Sequence, residues 1–118
     1  MPEQTVELFQ GFSAIAPAVA GVLTSTVTIQ FGPYTANESW DVEHQSLSNP
    51  GPLIPEVLVY KNVVAPSGFI EGTLNGINGM SDTSISLMRG EVLYYVWTNC
   101  SPGTLCQVTV RGTKDYAI

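Results

Sequence analysis

Apolar and polar residues alternate one by one along most of this chain, and clusters of Gly, Pro and Asn cut the alternation into short runs. A period of two sends successive side chains to opposite faces of an extended strand, whereas a helix repeats after about 3.6 residues. The pattern therefore predicts an all-β fold of short antiparallel strands joined by turns. In residues 23–31, Leu23, Val27, Ile29 and Phe31 share one face, with Thr24, Thr26, Thr28 and Gln30 on the other, so one face is core and the other wet. Gly32-Pro33 breaks that ladder. Residues 40–47 resume it, with Trp40 and Val42 inward and Asp41, Glu43 and Gln45 outward.

Asn49-Pro50-Gly51-Pro52 cannot propagate a strand and is a turn before the next run at 57–63. Gly68 introduces a strand over 69–74, which ends at Asn75-Gly76 and Asn78-Gly79, pairs suited to left-handed backbone. Residues 85–88 and 92–97 read as a hairpin about Arg89-Gly90-Glu91. Within it Leu93, Tyr95 and Trp97 share one face and Val92, Tyr94 and Val96 the other. With both faces apolar, the strand is expected at the centre of a sheet or against another subunit. Ser101-Pro102-Gly103 makes the next reversal, Cys106, Val108 and Val110 line the core face of the last strand, and residues 115–118 form a short tail.

About seven or eight strands follow from these breaks, and an antiparallel β-sandwich, jelly-roll wiring included, accommodates them best. Residues 1–22 are an N-terminal arm or a first irregular strand carrying Phe9, Phe12 and Ile15, and residues 23–118 are the sandwich domain. No internal repeat or linker divides the 118 residues, a length that suits one domain.

Charge narrows the partners. Only 12% of the residues are charged, Lys61, Lys114, Arg89 and Arg111 are the sole strong bases, and the net charge is −6. No basic patch exists to displace counterions from a nucleic acid or to seat on an anionic membrane, so neither is an expected partner. So sparsely charged a surface points to cover by other polypeptides and to a homo-oligomer. Met1-Pro2-Glu3-Gln4 lacks the basic start of an export signal, and residues 12–23 are too short and too weakly apolar to span a bilayer.

Catalytic and metal patterns are thin. His44 is the only histidine, metal binding through it would need carboxylate help from Asp41, Glu43 or distant acids, and alternation separates it from Glu43. Serines, His44 and Asp41 or Asp82 make a Ser-His-Asp set only on paper, for no serine sits in a Gly-x-Ser-x-Gly elbow. Asn75, Asn78 and Asp82 fit a calcium loop or, more simply, turns that need those residues. Neither an enzyme nor a cofactor is expected. Cys100 and Cys106 are either a disulfide closing a short loop or two buried thiols, depending on whether the register of a hairpin sets them opposite each other. The acceptor patterns at Asn37 and Asn99 have no use without export. Trp40, Trp97, Tyr94, Tyr95, Tyr34 and Tyr60 would suit a sugar-stacking platform, although core or interface packing is the commoner use of aromatic residues on strands.

Two stretches carry a resemblance: Val27-Thr28-Ile29-Gln30-Phe31-Gly32-Pro33 with Glu38-Ser39-Trp40-Asp41-Val42-Glu43, and Gly72-Thr73-Leu74-Asn75-Gly76 with Arg89-Gly90-Glu91-Val92-Leu93-Tyr94-Tyr95-Val96-Trp97-Thr98. Across residues 27–111 the chain resembles small β-sandwich accessory proteins of actinobacterial tailed bacteriophages, which serve as capsid decoration or as minor head or tail components. The resemblance implies a non-enzymatic virion protein on the exterior of the capsid, bound to the major capsid protein lattice or to other virion proteins as a homo-oligomer, with a trimer favoured. Phe9, Phe12, Tyr34, Trp40, Tyr95 and Trp97 are the candidate interaction surface. The alternative is a lectin-like carbohydrate-binding module, or a tail or baseplate accessory protein that mediates host attachment.

Overall fold

A computed structural model of the chain describes residues 3–18, 21, 23–32, 38–77, 79–88 and 90–117. Alternation becomes nine strands: β1 (Glu3–Ile15), β2 (Ser25–Phe31), β3 (Glu38–Ser48), β4 (Glu56–Lys61), β5 (Phe69–Asn75), β6 (Met80–Ser81), β7 (Ile85–Leu87), β8 (Leu93–Cys100) and β9 (Leu105–Ala117). One helical turn, Pro66–Gly68, precedes β5. All strand pairs are antiparallel. The first sheet runs β1-β9-β3, with β6 and β7 both on the far side of β3, and the second runs β2-β8-β4-β5.

With the two-residue β6 set aside, the orders are 1-9-3-7 and 2-8-4-5, and the chain changes sheet at almost every connection. That is the wiring of an eight-stranded jelly-roll sandwich. Inward residues of both sheets fill the space between them. Ile29, Phe31, Val57, Val59, Leu93, Tyr95 and Trp97 come from the second sheet, and Leu8, Trp40, Val42, Leu47, Leu87, Val108 and Val110 face them from the first. Phe31 is sandwiched between Phe12, at 4.0 Å between ring centroids, and Tyr95, at 5.4 Å.

The structure departs from simple alternation at a bulge in β3. Register with β9 shifts between Val42 and His44, which leaves Glu43 as an extra residue. Everything downstream changes face, so Gln45, expected outside, is fully buried, and Leu47 joins the core. A buried amide must be satisfied, and here the Tyr95 hydroxyl donates to Gln45 Oε1 at 2.5 Å while Gln45 Nε2 donates to the Thr83 carbonyl at 3.0 Å. Burial pushes the Tyr95 phenol far above its ordinary range, which keeps it a donor. Glu71 of β5 then accepts from Ser81 Oγ at 2.7 Å and Thr83 Oγ1 at 2.8 Å, so one polar chain crosses from sheet to sheet. Tyr95→Phe is expected to cost about 1–3 kcal/mol in denaturant unfolding, because it strands the Gln45 oxygen. An unchanged midpoint would show that Gln45 is satisfied some other way.

Three further expectations are corrected. Residues 85–88 and 92–97 do not form a hairpin: β7 pairs with β3 in the first sheet, whereas β8 pairs with β2 and β4 in the second. The turn between them is nonetheless real, closed by Glu91 N–H to the Met88 carbonyl at 3.0 Å and by Met88 N–H to Glu91 Oε1 at 2.7 Å. Hydrogen bonds from Asn62 and Met88 hold the Glu91 carboxyl below the usual carboxylate range. Leu23 lies outside β2 and is 87% exposed, since the strand begins only at Ser25. Residues 115–117 belong to β9 rather than to a tail, and β1 pairs with β9 along its whole length, from Glu3 opposite Ala117 to Ile15 opposite Leu105. With the two-residue β6 set aside, the described residues form eight strands, in keeping with the seven or eight expected.

Candidate functional site

Because Leu93, Tyr95 and Trp97 of β8 and Val57 and Val59 of β4 turn inward, their neighbours Tyr94, Val96, Leu58 and Tyr60 must turn outward. Register then sets them side by side. Gln30, Tyr94, Tyr60 and Phe69 form one row across β2, β8, β4 and β5, and Thr28, Val96 and Leu58 form the next. Neighbours in a row are about 4.8 Å apart, so the aromatic row spans roughly 10 Å of open sheet. Tyr60 and Phe69 meet edge to face at 5.6 Å. Phe69 is 48% exposed, and the turn at Gly68 brings exposed Val63 and Val64 to the same end.

These rows contain no charged residue; Glu56 and Lys61 lie at the two ends of β4. The face is thus an apolar and aromatic platform bordered by the amide and hydroxyl of Gln30 and Thr28. Such a surface gains from contact with another apolar or aromatic-compatible surface.

The residues proposed from sequence divide sharply. Trp40 is 3% exposed and Tyr95 and Trp97 are fully buried, so these three belong to the core and are withdrawn from any interaction surface. Phe12 is half-buried against Phe31. Phe9 is 66% exposed on the outer side of the first sheet, where the Arg111 guanidinium lies 5.7 Å from its ring centroid. Tyr34 lies outside the described residues. Of the aromatic residues considered for sugar stacking, Tyr60 and Tyr94 are the ones that face out together. Phe69 and Leu58 carry no signal of a surface role in the sequence by residue type, although the alternation that buries Val57 and Val59 fixes Leu58 on the outer side.

His44 and Glu43 were expected on opposite faces, but the bulge brings both to a shallow depression of about 330 Å³ that Glu7, Arg111 and Gly112 also line. His44 Nδ1 lies 2.6 Å from Asp82 Oδ1, and Asp82 is largely exposed. No group of three or more His, Cys, Asp or Glu able to hold a metal exists among the described residues. The Asn75 side chain accepts from Ile77 N–H at 2.8 Å, which closes a turn, and Asn78 lies outside the described residues. Among the described residues no helix is long and apolar enough to cross a membrane.

Fold and site together define a jelly-roll sandwich whose second sheet carries an uncharged aromatic and aliphatic patch on its outer face. The chain matches no family model, no curated protein and no solved structure.

Proposed function

We propose that this chain is a non-enzymatic assembly domain that docks through the outer face of its second sheet, and more narrowly that it is an accessory protein of a phage virion, decorating the capsid by contact with the major capsid protein. The observation that carries this reading is the uncharged row Tyr94-Tyr60-Phe69 with Val96 and Leu58 beside it, an apolar area laid across the three paired strands β8, β4 and β5. The jelly roll is a frequent architecture of viral shell and lectin domains, which agrees with the reading by analogy of fold. Many copies docked on a repeating lattice would convert a modest contact into a high avidity.

The test is mass spectrometry of purified virions together with a docking assay on the major capsid protein. Phe69→Ser and Leu58→Glu are expected to weaken docking at least tenfold, since apolar anchors at the centre of an interface dominate its energy. Phe69→Ser should leave the unfolding midpoint nearly unchanged, as for most surface substitutions. Virions free of the chain, or unimpaired docking by both variants, would overturn the proposal.

A lectin-like role is the second reading, favoured by the neighbouring outward rings of Tyr60 and Tyr94 with Gln30 at the end of their row. It predicts a signal on a glycan array that Tyr60→Ala abolishes. Docking on capsid protein alone predicts none.

A further inference from the structure

Cys100 ends β8 in the second sheet and Cys106 lies in β9 of the first, so the segment between them is the corner by which the chain crosses from one layer to the other. Hairpin register, the criterion available from sequence, does not apply there, because the two strands are not paired with each other. The two thiols meet instead in the core between the sheets. Both side chains are fully buried, and their Sγ atoms lie 3.7 Å apart, within van der Waals contact.

We propose that Cys100 and Cys106 are a disulfide-forming site that clamps the two sheets together at this corner. Bond formation needs the sulfurs to close by about 1.6 Å, a movement within reach of rotation about the two Cα–Cβ bonds. The surroundings are already fixed for it. Thr104 N–H and Thr104 Oγ1 both donate to the Ser101 carbonyl, at 3.2 and 2.6 Å, and Gly103 takes the left-handed conformation, φ +84°, that the turn demands. Asn49, 3% exposed just beyond β3, donates from Nδ2 to Thr104 Oγ1 at 3.0 Å and to Cys106 Sγ at 3.3 Å. Its Oδ1 accepts from Gly51 N–H at 2.8 Å, and Ser101 Oγ accepts from Leu53 N–H at 3.2 Å, so the loop after β3 is fastened to the same corner.

The reaction requires a low-molecular-weight disulfide as oxidant. One cysteine thiolate attacks it and releases one small thiol, giving a mixed disulfide; the second cysteine thiolate attacks the protein sulfur of that bond and releases the other small thiol. The protein loses two electrons and two protons, and the small disulfide gains both. Neither sulfur is open to solvent in the folded state, and burial pushes the Cys100 thiol up to about 12, so exchange belongs to the stage of folding at which the corner is still open. Once closed, the bond is sheltered from reductant by the same burial.

The experiment refolds the full chain from reducing denaturant into a mixture of oxidised and reduced glutathione, then unfolds it in an alkylating reagent and weighs the intact protein. The expected product takes up no alkyl group, is lighter than the reduced chain by two hydrogen atoms, and melts roughly 5–10 °C above the chain kept reduced. Cys100→Ala is expected to melt at one temperature in both buffers. Should that variant not fold, the comparison of oxidised with reduced wild type decides the matter alone. Two alkylated thiols after refolding, two glutathione adducts, or an oxidised form that melts at or below the reduced form would overturn the proposal.

Discussion

Gly112→Ala is expected to cost about 3 kcal/mol or more in denaturant unfolding, near the upper end for overpacking. A Cβ at this position would stand 1.9 Å from the Asp41 carbonyl oxygen and 3.0 Å from Glu43 N, both backbone atoms of β3 that no side-chain rotation can move. Gly112 faces Val42 where the bulge begins, so the absence of a side chain is what lets the bulged strand lie close to β9. Forcing the strands apart would also undo the change of face that buries Gln45 under Tyr95. Gly11→Ala is the matched control, since its Cβ would find nothing nearer than Thr109 Oγ1 at 3.8 Å. That variant should unfold within about 0.5 kcal/mol of wild type. Equal stabilities for the two variants would contradict this description of the bulge.

Trp97 supplies the second large effect. It is the largest fully buried side chain, and Trp97→Ala is expected to cost about 3–5 kcal/mol, a change that leaves the sandwich marginal or unfolded at room temperature. Its indole N–H is buried with no hydrogen-bond partner among the described residues, so the nitrogen adds nothing that the ring's volume does not. Trp97→Phe should therefore be much milder, losing some contact but relieving an unsatisfied donor. Thermal melts of both variants check the ordering, and a Phe variant as damaged as the Ala variant would show that the N–H does have a partner. The ring also explains Gly76, where a Cβ would come within 2.9 Å of Trp97 Cζ3 and 2.8 Å of Pro55 Cβ.

The fold class is legible because alternation survives in β2 and β9, where Phe31 and Val108 recur on schedule with polar neighbours between them, and because β8 reads as a strand apolar on both faces. It failed wherever the backbone broke its own period. Nothing in the residues 40–47 announces that Glu43 is an extra residue, so Gln45 was placed in water and Glu43 away from His44. Nor does a turn reveal which sheet its flanking strands enter: Gly90 and Glu91 make the reversal read from the sequence, yet the strands on either side pair with different partners. The site was less legible than the fold. Aromatic type suggested Trp40, Tyr95 and Trp97 as a surface, but burial rewards large rings most, and these three became the core. The residues left outside, Tyr94, Tyr60, Leu58 and Phe69, follow from register across three strands, which no single stretch of sequence contains.

Glu3 and Ala117 are partners in the pairing of β1 with β9, so the strand that joins β1 to β3 leaves the ribosome after all the other described strands. Until it does, β1 and β3 have no common neighbour. Contacts this distant in sequence make for slow folding, and the waiting interval is when unpaired edges are most prone to join the wrong chain. Yield at high expression should therefore respond more to the rate of synthesis and to temperature than to any change made on the finished surface.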